Sequence, residues 1–244
     1  GSTLVHACGG AAALAGIIVL GAREGRFGRR GEKKSMQPFA ASSIPLVTLG
    51  TFLLWFGWFG FNGFSQLAMG TFDDVNAISK IAVNTHLAGA AGTVTGAALT
   101  RLIGGKTDIV MMLNGALAGL VAITAEPLTP GPITAMIIGS IGAVIMYYGT
   151  KLLENFGLDD VVGAIPVHMF AGIFGTLVVP FTNADTSFGT QFIGVISVCI
   201  FSFALSWITF STLKSTVGLR ISRAAEKQGT DKAEVGVIAY SIRD

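Results

Sequence analysis

Two histidines lie in matching settings inside apolar segments of this chain. His6 lies in V-H-A-C-G-G at 5–10 and His168 in V-H-M-F-A-G at 167–172, which share the pattern V-H-x-x-[GA]-G. An ionisable ring in hydrocarbon is costly, so its presence twice in one setting indicates a function. Desolvation disfavours the charged imidazolium, and a neutral ring can both donate and accept a hydrogen bond. In contact, two such rings would carry a small polar solute, or relay a proton, through an apolar passage.

The spacing of the two histidines leaves their contact open. At a rise of ~1.5 Å per residue, His168 lies ~10 Å from the inner end of its apolar segment and His6 more than ~20 Å from the inner end of its own. The alternative is that each ring separately bonds a backbone carbonyl and joins two neighbouring helices. Sequence spacing does not decide between a pair and two separate contacts.

A second cluster interleaves aromatic residues with glycines, in W-F-G-W-F-G-F-N-G-F-S at 55–65. An aromatic belt at the membrane surface would have the same composition. Asn62 and Ser65 add hydrogen-bonding groups among the rings. Rings and a hydroxyl on an outer surface attract a small cation, since a cation–π contact is worth ~0.5–2 kcal/mol.

The composition excludes an ordinary soluble domain. The chain is 51% hydrophobic and 12% charged, with a mean hydropathy of +0.67, and its 33 glycines suit close packing of helices in lipid. We find no nucleotide-binding motif, metal-ligand spacing or hydrolytic triad. We therefore expect no enzymatic activity, cofactor, metal or nucleic-acid partner. Cys8 and Cys199 are expected to be small buried residues.

Continuous apolar runs long enough to cross a bilayer predict helices, because the strands of a membrane barrel would alternate in polarity. The predicted fold is an all-α polytopic membrane protein with seven transmembrane helices. The short polar dipeptide Asp159-Asp160 is expected to cap the sixth helix. The chain starts in an apolar run without a methionine, which we expect of a fragment. The predicted spans are 1–22, 43–65, 77–102, 107–124, 132–153, 162–182 and 188–216.

The positive charges predict the orientation of these spans. Fifteen of the 16 Lys and Arg residues fall in segments on one side of the predicted membrane, and only Lys80 falls on the other. By the positive-inside rule the N-terminus is outside and the C-terminus cytoplasmic. The loop after the first span carries six charges, which we interpret as a signal for orientation rather than a lipid site: Arg23, Arg26, Arg29, Arg30, Lys33 and Lys34.

The chain divides by composition into two parts. Residues 1–219 form the predicted helical bundle, and the polar residues 220–244 form a cytoplasmic tail. A free disordered end and a regulatory arm packed on the bundle are both compatible with the composition of the tail.

Taken together, these motifs resemble those of the ammonium transporter (Amt/Mep/Rh) family, in its bacterial Amt branch. The resemblance implies a fold of eleven helices built as an inverted repeat, assembled as a homotrimer with one pore per subunit. This chain resembles helices five to eleven, so one gate phenylalanine, an outer-site tryptophan and an aspartate of the family fall outside it. The matching stretches are G-S-T-L-V-H at 1–6, G-W-F-G-F-N at 57–62, A-V-N-T at 82–85, L-N-G-A-L-A-G-L-V at 113–121, D-D-V-V-G-A-I-P-V-H-M-F-A-G-I-F-G-T-L at 159–177, T-V-G-L-R-I-S at 216–222 and G-x-D-x-x-E-x-G-x-x-A-Y at 229–240.

The resemblance also implies roles for individual residues. His6 and His168 correspond to the twin pore histidines, Phe61 to a gate phenylalanine, Ser65 to the serine that recruits substrate, and Trp58 to a pore-adjacent tryptophan. Ammonium would be recruited from outside the cell membrane and deprotonated before the gate, and ammonia would then pass the histidines. Neutral ammonia needs only weak hydrogen bonds in an apolar pore, whereas a bare ion is costly there.

The resemblance leaves function and regulation open in two respects. A membrane-embedded ammonium sensor, coupled to a cytoplasmic signalling module, would carry the same domain. Regulation by a signalling protein of the PII type at the cytoplasmic face is a second expectation. The tail departs from the family there, because Val235-Gly236-Val237 stands where many members have His-Gly-Glu.

Overall fold

The computed structural model describes residues 1–27 and 39–239, which form helices and no strand. The predicted all-α fold is therefore confirmed. Short 3-10 turns follow two of the helices, at Phe64–Gln66 and Val179–Phe181. The main elements are a first π-helix Ser2–Ala7, α1 Cys8–Leu20, α2 Ile44–Gly63, α3 Phe72–Gly104, α4 Ile109–Ile123, α5 Pro132–Asn155, a second π-helix Ile165–Phe170, α6 Ala171–Leu177, α7 Phe188–Thr216, α8 Arg223–Gln228 and a third π-helix Asp231–Val235.

Four described helical segments are long and apolar enough to cross a membrane: Ser2–Leu20, Ile44–Gln66, Pro132–Asn155 and Phe188–Thr216. They match the first, second, fifth and seventh predicted spans. The third predicted span coincides with α3, and the fourth and sixth coincide with two shorter apolar segments. The 15 residues of α4 extend only ~22 Å, less than the ~30 Å of a bilayer core. The count of seven spans stays a prediction.

Polar side chains begin these helices at the predicted breaks. Thr71 and Asp74 form a reciprocal capping box at the start of α3, with amide-to-oxygen distances of 3.1 and 3.0 Å. The hydroxyl of Ser187 accepts from the amide of Thr190 at the start of α7. Such caps satisfy amides that have no partner within the helix, a need that is severe at the edge of an apolar layer.

Helices α3, α4 and α5 pack against one another through contacts between small residues. The backbones of Gly92 on α3 and Gly115 on α4 touch, and Ala88 on α3 approaches both Gly119 and Gly139. A Cβ atom at any of these glycines would collide with a neighbouring backbone carbonyl. Helices approach this closely in membrane proteins where the interface residues are small. Helix α4 is enclosed as a result, and almost all of its residues from Leu113 onward are buried.

Helix α1 packs along α7 and crosses the second π-helix. The Lys214 ammonium on α7 donates to the carbonyl of Val19 on α1 at 2.6 Å, which supplies a partner for a carbonyl at the end of α1. Cys199 is buried and Cys8 half-buried, and both are free thiols. The Ser202 hydroxyl lies 3.1 Å from the sulfur of Cys8.

The first part of the polar tail packs on the bundle at the C-terminal end of α1. Arg220 binds the carboxylate of Glu226 at 2.7 Å, and that carboxylate accepts from the amide of Glu24 at 2.8 Å. Ser222, which lies between Arg220 and Glu226 in the sequence, caps the N-terminus of α8. Over the described residues the packed arm is favoured over the free end, while residues 240–244 lie outside the described part of the chain.

Ion pairs fasten the C-terminal ends of α1 and α5 to the segment before the second π-helix. Arg23 donates to Asp159 from its backbone amide at 2.9 Å and from its guanidinium at 2.8 and 2.9 Å. Arg26 binds Glu154 at 2.6 Å and lies 3.6 Å from Asp159. These are the two members of the six-charge loop within the described residues, and the other four lie outside them: Arg29, Arg30, Lys33 and Lys34.

The prediction that the Asp159-Asp160 dipeptide caps the sixth helix is confirmed for Asp160 and wrong for Asp159. The carboxylate of Asp160 accepts from the amides of Ala164 at 2.9 Å and Ile165 at 2.7 Å, at the start of the second π-helix. Asp159 instead turns toward Arg23 and Arg26, because two guanidinium groups outcompete neutral amides for a carboxylate.

We expect acid to weaken the fold through Asp159. Burial alone raises the pKa of this carboxyl, but the hydrogen bonds and charge of Arg23 outweigh burial and hold the pKa below its ordinary value. A carboxyl with a lowered pKa stabilises the fold above the pKa of the unfolded chain, ~4, and this stabilisation is lost as the pH falls through the folded value. Thermal unfolding of the full-length protein between pH 6 and pH ~3 measures the effect. Asp159→Asn should flatten the acid limb of the profile, and an equal acid limb in both proteins would contradict the assignment.

Candidate functional site

Each of the two histidines lies in a π-helix that continues into an α-helix. His6 is in Ser2–Ala7, which leads into α1, and His168 is in Ile165–Phe170, which leads into α6. A π-helix widens the helical turn and is found often at functional sites. The repeated sequence motif therefore corresponds to a repeated local structure. The residue types of the motif do not by themselves predict a π-helix.

The glycine at the end of each motif is where the two segments cross. Gly10 and Gly172 each lie four residues after their histidine. A Cβ at Gly10 would come within 2.6 Å of the amide nitrogen of Met169, and one at Gly172 would collide with the carbonyl oxygen of Ser2. Only a residue without a side chain permits this approach. The V-H-x-x-[GA]-G pattern thus encodes both the ring and the crossing that brings it to its partner.

The histidine rings are in contact. Nδ1 of His6 lies 3.2 Å from Nδ1 of His168, and the rings are stacked with centroids 5.2 Å apart and planes 17° apart. The alternative of two separate carbonyl contacts is therefore wrong for this pair. Between neutral rings one Nδ1 must donate and the other accept, so one Nε2 carries a proton and the other a lone pair. The Nε2 of His6 is buried and has no hydrogen-bond partner among the described residues.

Two aromatic residues of α2 complete a column of rings around His6. The Trp58 indole stacks on the His6 ring, with centroids 5.0 Å apart and planes 14° from parallel, and is 6% exposed. Phe61 meets the His6 ring edge-on at 5.7 Å. Four of the five predicted site residues, His6, His168, Trp58 and Phe61, are thus linked by ring contacts.

Thr124 supports the site in a way that the sequence does not reveal. Its hydroxyl accepts from the Trp58 indole N–H at 2.7 Å and donates to the carbonyl of Leu120 at 2.6 Å. This chain of hydrogen bonds fixes the indole plane, and hence the surface against which His6 stacks. Thr124 follows the last residue of α4 directly, and no sequence pattern relates it to a tryptophan 66 positions away.

Two cavities adjoin this column of rings. One, of about 310 Å³, is lined by the two histidines, by Val5, Gly9 and Gly10 of the first motif, and by Ala164. The other, of about 450 Å³, is lined by Phe61, Phe64, Ser65 and glycines of α2. Phe61 lies between the second cavity and the histidine ring.

Ser65, the fifth predicted site residue, lies at the exposed end of the series. Its hydroxyl donates to the carbonyl of Phe61 at 3.0 Å, which leaves the oxygen's remaining lone pairs facing an open surface. Asn62, which we expected among the outer hydrogen-bonding groups, is instead buried and donates to Thr85 at 3.0 Å. His86 packs against Trp55 and Phe59, away from the other two histidines.

The two adjacent glycines of the first motif provide a test of the crossing. Alanine favours a helix over glycine by ~1 kcal/mol. A Cβ at Gly9 would have no neighbour within 4 Å, whereas one at Gly10 would press against Met169. In the full-length protein, Gly10→Ala should therefore lower the midpoint of thermal unfolding, since overpacking costs ~1–3 kcal/mol. Gly9→Ala should leave it unchanged or raise it, and equal effects of the two variants would disprove the crossing.

Known proteins were compared with this chain on sequence and on structure. Residues 1–240 match the model of the Ammonium Transporter Family. The chain is 40% identical to ammonium transporter Amt2 of Archaeoglobus fulgidus over 261 residues, covering 98% of this chain and 54% of that protein. It is 36% identical to ammonium transporter Amt2 of Methanocaldococcus jannaschii, covering 98% of this chain and 56% of that protein. The chain thus spans about half the length of the curated relatives it matches.

Solved structures give the same grouping. A protein described as a sensor Amt protein superposes with a TM-score of 0.86 at 33% identity, over 96% of this chain and 59% of its own. Mep2 of Candida albicans superposes with a TM-score of 0.76 at 27% identity, over 95% of this chain and 54% of its own. With the family match extending over nearly the whole chain, this polytopic membrane protein belongs to the ammonium transporter family.

Proposed function

We propose that the full-length protein carries ammonium, as ammonia, across the membrane through a pore lined by His6 and His168. The observation that carries the proposal is the contact series from Ser65 and Phe61 to the stacked pair of histidines. It combines an open outer surface, one aromatic barrier and a polar lining made of two rings in an otherwise apolar surrounding.

The outer steps use the chemistry of an exposed hydroxyl and aromatic rings. The Ser65 oxygen accepts a hydrogen bond from ammonium, and the Phe61 and Phe64 rings that share its cavity attract the cation. Moving the bare ion past Phe61 would remove its hydration without an equivalent replacement. Before this ring, ammonium gives its proton to water at the open outer cavity, and neutral ammonia passes.

The inner steps use the unlike nitrogens of the histidine pair. Ammonia both donates and accepts hydrogen bonds, so it can accept from a ring N–H and donate to a ring lone pair. Trp58, held by Thr124, gives the His6 ring a rigid support on which to keep this geometry. Rigid placement avoids the entropic cost of ordering the lining for each passage.

We propose the cell membrane as the location, with the start of this chain outside and the tail inside. Its support is the position of Arg23, Arg26, Lys214 and the arginines and lysines of the tail at one end of the bundle, by the positive-inside rule. The division into a bundle, 1–219, and a tail, 220–244, belongs to the same proposal and rests on the change in composition at that point. A homotrimer with one pore per subunit, and a PII-type regulator at the cytoplasmic face, belong to the same proposal as family expectations.

An ammonium sensor is the second candidate function. It is favoured by one observation, the superposition with a protein described as a sensor Amt protein at a TM-score of 0.86. A sensor would bind ammonium at Ser65 and Phe61 without net uptake. Measuring methylammonium uptake together with ammonium binding in the full-length protein separates the two functions, because only a transporter accumulates the probe.

The histidine pair provides the first test of transport. His168→Ala removes half of the polar lining, and the loss of a hydrogen bond worth ~1.4 kcal/mol slows passage about tenfold. Methylammonium uptake by cells that produce the full-length protein measures the rate. His86→Ala is the matched control, since that ring packs on Trp55 and Phe59 and is not in the column. Uptake at the wild-type rate in His168→Ala would refute the role of the pair.

The aromatic barrier provides the second test. Phe61→Ala opens the passage between the outer cavity and the His6 ring, so we expect a changed discrimination between ammonium and potassium. Ion currents recorded from the full-length protein in reconstituted bilayers measure that ratio. Phe59→Ala, on the same helix but against His86, should leave the ratio unchanged. An unaltered ratio in Phe61→Ala would show that this ring is not a barrier.

A further inference from the structure

The neighbouring carboxylates Asp159 and Asp160 contact different histidine-bearing segments. Asp159 binds the residues that follow α1, the helix that continues from His6. Asp160 binds the start of the second π-helix, which contains His168. A single dipeptide, whose two Cα atoms one trans peptide bond keeps ~3.8 Å apart, therefore connects the end of α1 with the start of the second π-helix.

Three hydrogen bonds fix the geometry of the contact between Asp159 and Arg23. The guanidinium donates to both carboxylate oxygens, at 2.8 and 2.9 Å, and the Arg23 amide donates a third bond at 2.9 Å. The Asp159 side chain is 3% exposed. A bidentate pair fixes direction as well as distance, and removal from solvent limits its screening.

The contact of Asp160 acts on the other segment. Its two carboxylate oxygens accept from the amides of Ala164 and Ile165, which have no carbonyl partner one turn earlier. His168 lies three residues after Ile165, within the same π-helix. A shift of this cap would therefore move the ring that meets His6.

We infer that Asp159 and Asp160 are positioning residues, which together hold the two pore histidines in register. The inference rests on the proposed transport function and assigns the dipeptide a part in it. Neither carboxylate lines the cavities beside the histidines or at Ser65, so neither touches the substrate. Their effect passes through Arg23 and α1 on one side, and through the second π-helix on the other.

The test uses the full-length protein with Asp159→Asn, Asp160→Asn and the control Asp185→Asn, an exposed aspartate in the loop before α7. Misplacing the rings should lower the maximal rate of methylammonium uptake by about tenfold to about a hundredfold in the first two variants. The KM should not change, because Ser65 and Phe61 belong to α2 and its following turn, which the dipeptide does not contact. The control should match the wild type in both constants.

A double-mutant cycle tests the connection to α1. Arg23→Gln and Asp159→Asn both remove this pair, and Asp159→Asn also removes the contact with Arg26, so the double variant should be no slower than Asp159→Asn alone. Arg23→Lys keeps the charge but loses the bidentate geometry, so it should give a smaller fall and also serves where Asp159→Asn fails to reach the membrane. Additive losses of rate would overturn the connection between Arg23 and Asp159.

A second measurement reports the position of the segments without any transport. The hydroxyls of Thr3 and Thr176 meet at 2.6 Å across the two histidine segments. In a background with Cys8→Ala and Cys199→Ala, cysteines at both positions should form a disulfide rapidly, and more slowly when Asp159→Asn or Asp160→Asn is added. An unchanged rate of crosslinking, or a normal maximal rate of uptake in both variants, would overturn the inference.

The two measurements also separate the inference from the proposed function. If the wild-type protein takes up neither ammonium nor methylammonium, the proposed transport fails, while crosslinking still decides whether the dipeptide sets the register. If the wild type transports normally and crosslinking is insensitive to both aspartates, transport stands and the positioning role fails.

Discussion

The close crossing of the two histidine segments at Gly10 and Gly172 is the constraint on which the site depends. Each glycine lies against the backbone of the opposite segment, so any side chain there would drive the segments apart. The rings of His6 and His168, which bond at 3.2 Å, would then be separated in surroundings that offer few other polar partners. An unpaired buried ring nitrogen is costly, so the crossing and the pair require one another.

Charged groups hold this crossing at the C-terminal end of α1. Arg23, whose side chain is 35% exposed, pairs there with the buried Asp159, and the polar tail packs on the same end through Arg220, Glu226 and Glu24. Within the layer the contacts are made by glycines, ring faces and neutral hydrogen bonds such as that between Trp58 and Thr124. The division follows from physics, since an ion pair in hydrocarbon must overcome a large desolvation penalty, whereas Arg23 is partly exposed and its three hydrogen bonds to Asp159 offset the burial of that carboxylate.

The closely packed helices α3, α4 and α5 support the site from one side. Thr124, directly after α4, holds the indole of Trp58, and Asn84 of α3 donates to the carbonyls of Pro127 and Pro130 in the next loop. Small residues let these helices approach until their backbones touch. Such contacts tolerate little displacement, so these helices support the column of rings around His6 rigidly.

The sequence by itself determined the class of the protein and the helical breaks, and it supplied the candidate site residues. Long apolar runs with capping residues at their ends permit only helices in lipid, and the repeated histidine motif singled out its own two rings. It did not determine which apolar helices are enclosed, because burial in protein and exposure to lipid favour the same composition. For this reason the sequence predicts that α4 spans the membrane like the others, although it is 15 residues long and buried in the bundle.

The tertiary structure decided which of these residues meet. It brought together residues more than 100 positions apart, such as His6 with His168 and Arg23 with Asp159, which sequence spacing could not place. It also gave the adjacent residues Asp159 and Asp160 different partners, a guanidinium group for the first and backbone amides for the second. The physical reason is that a side chain takes its role from the groups the folded backbone sets beside it. A pattern along the chain records only which groups are available.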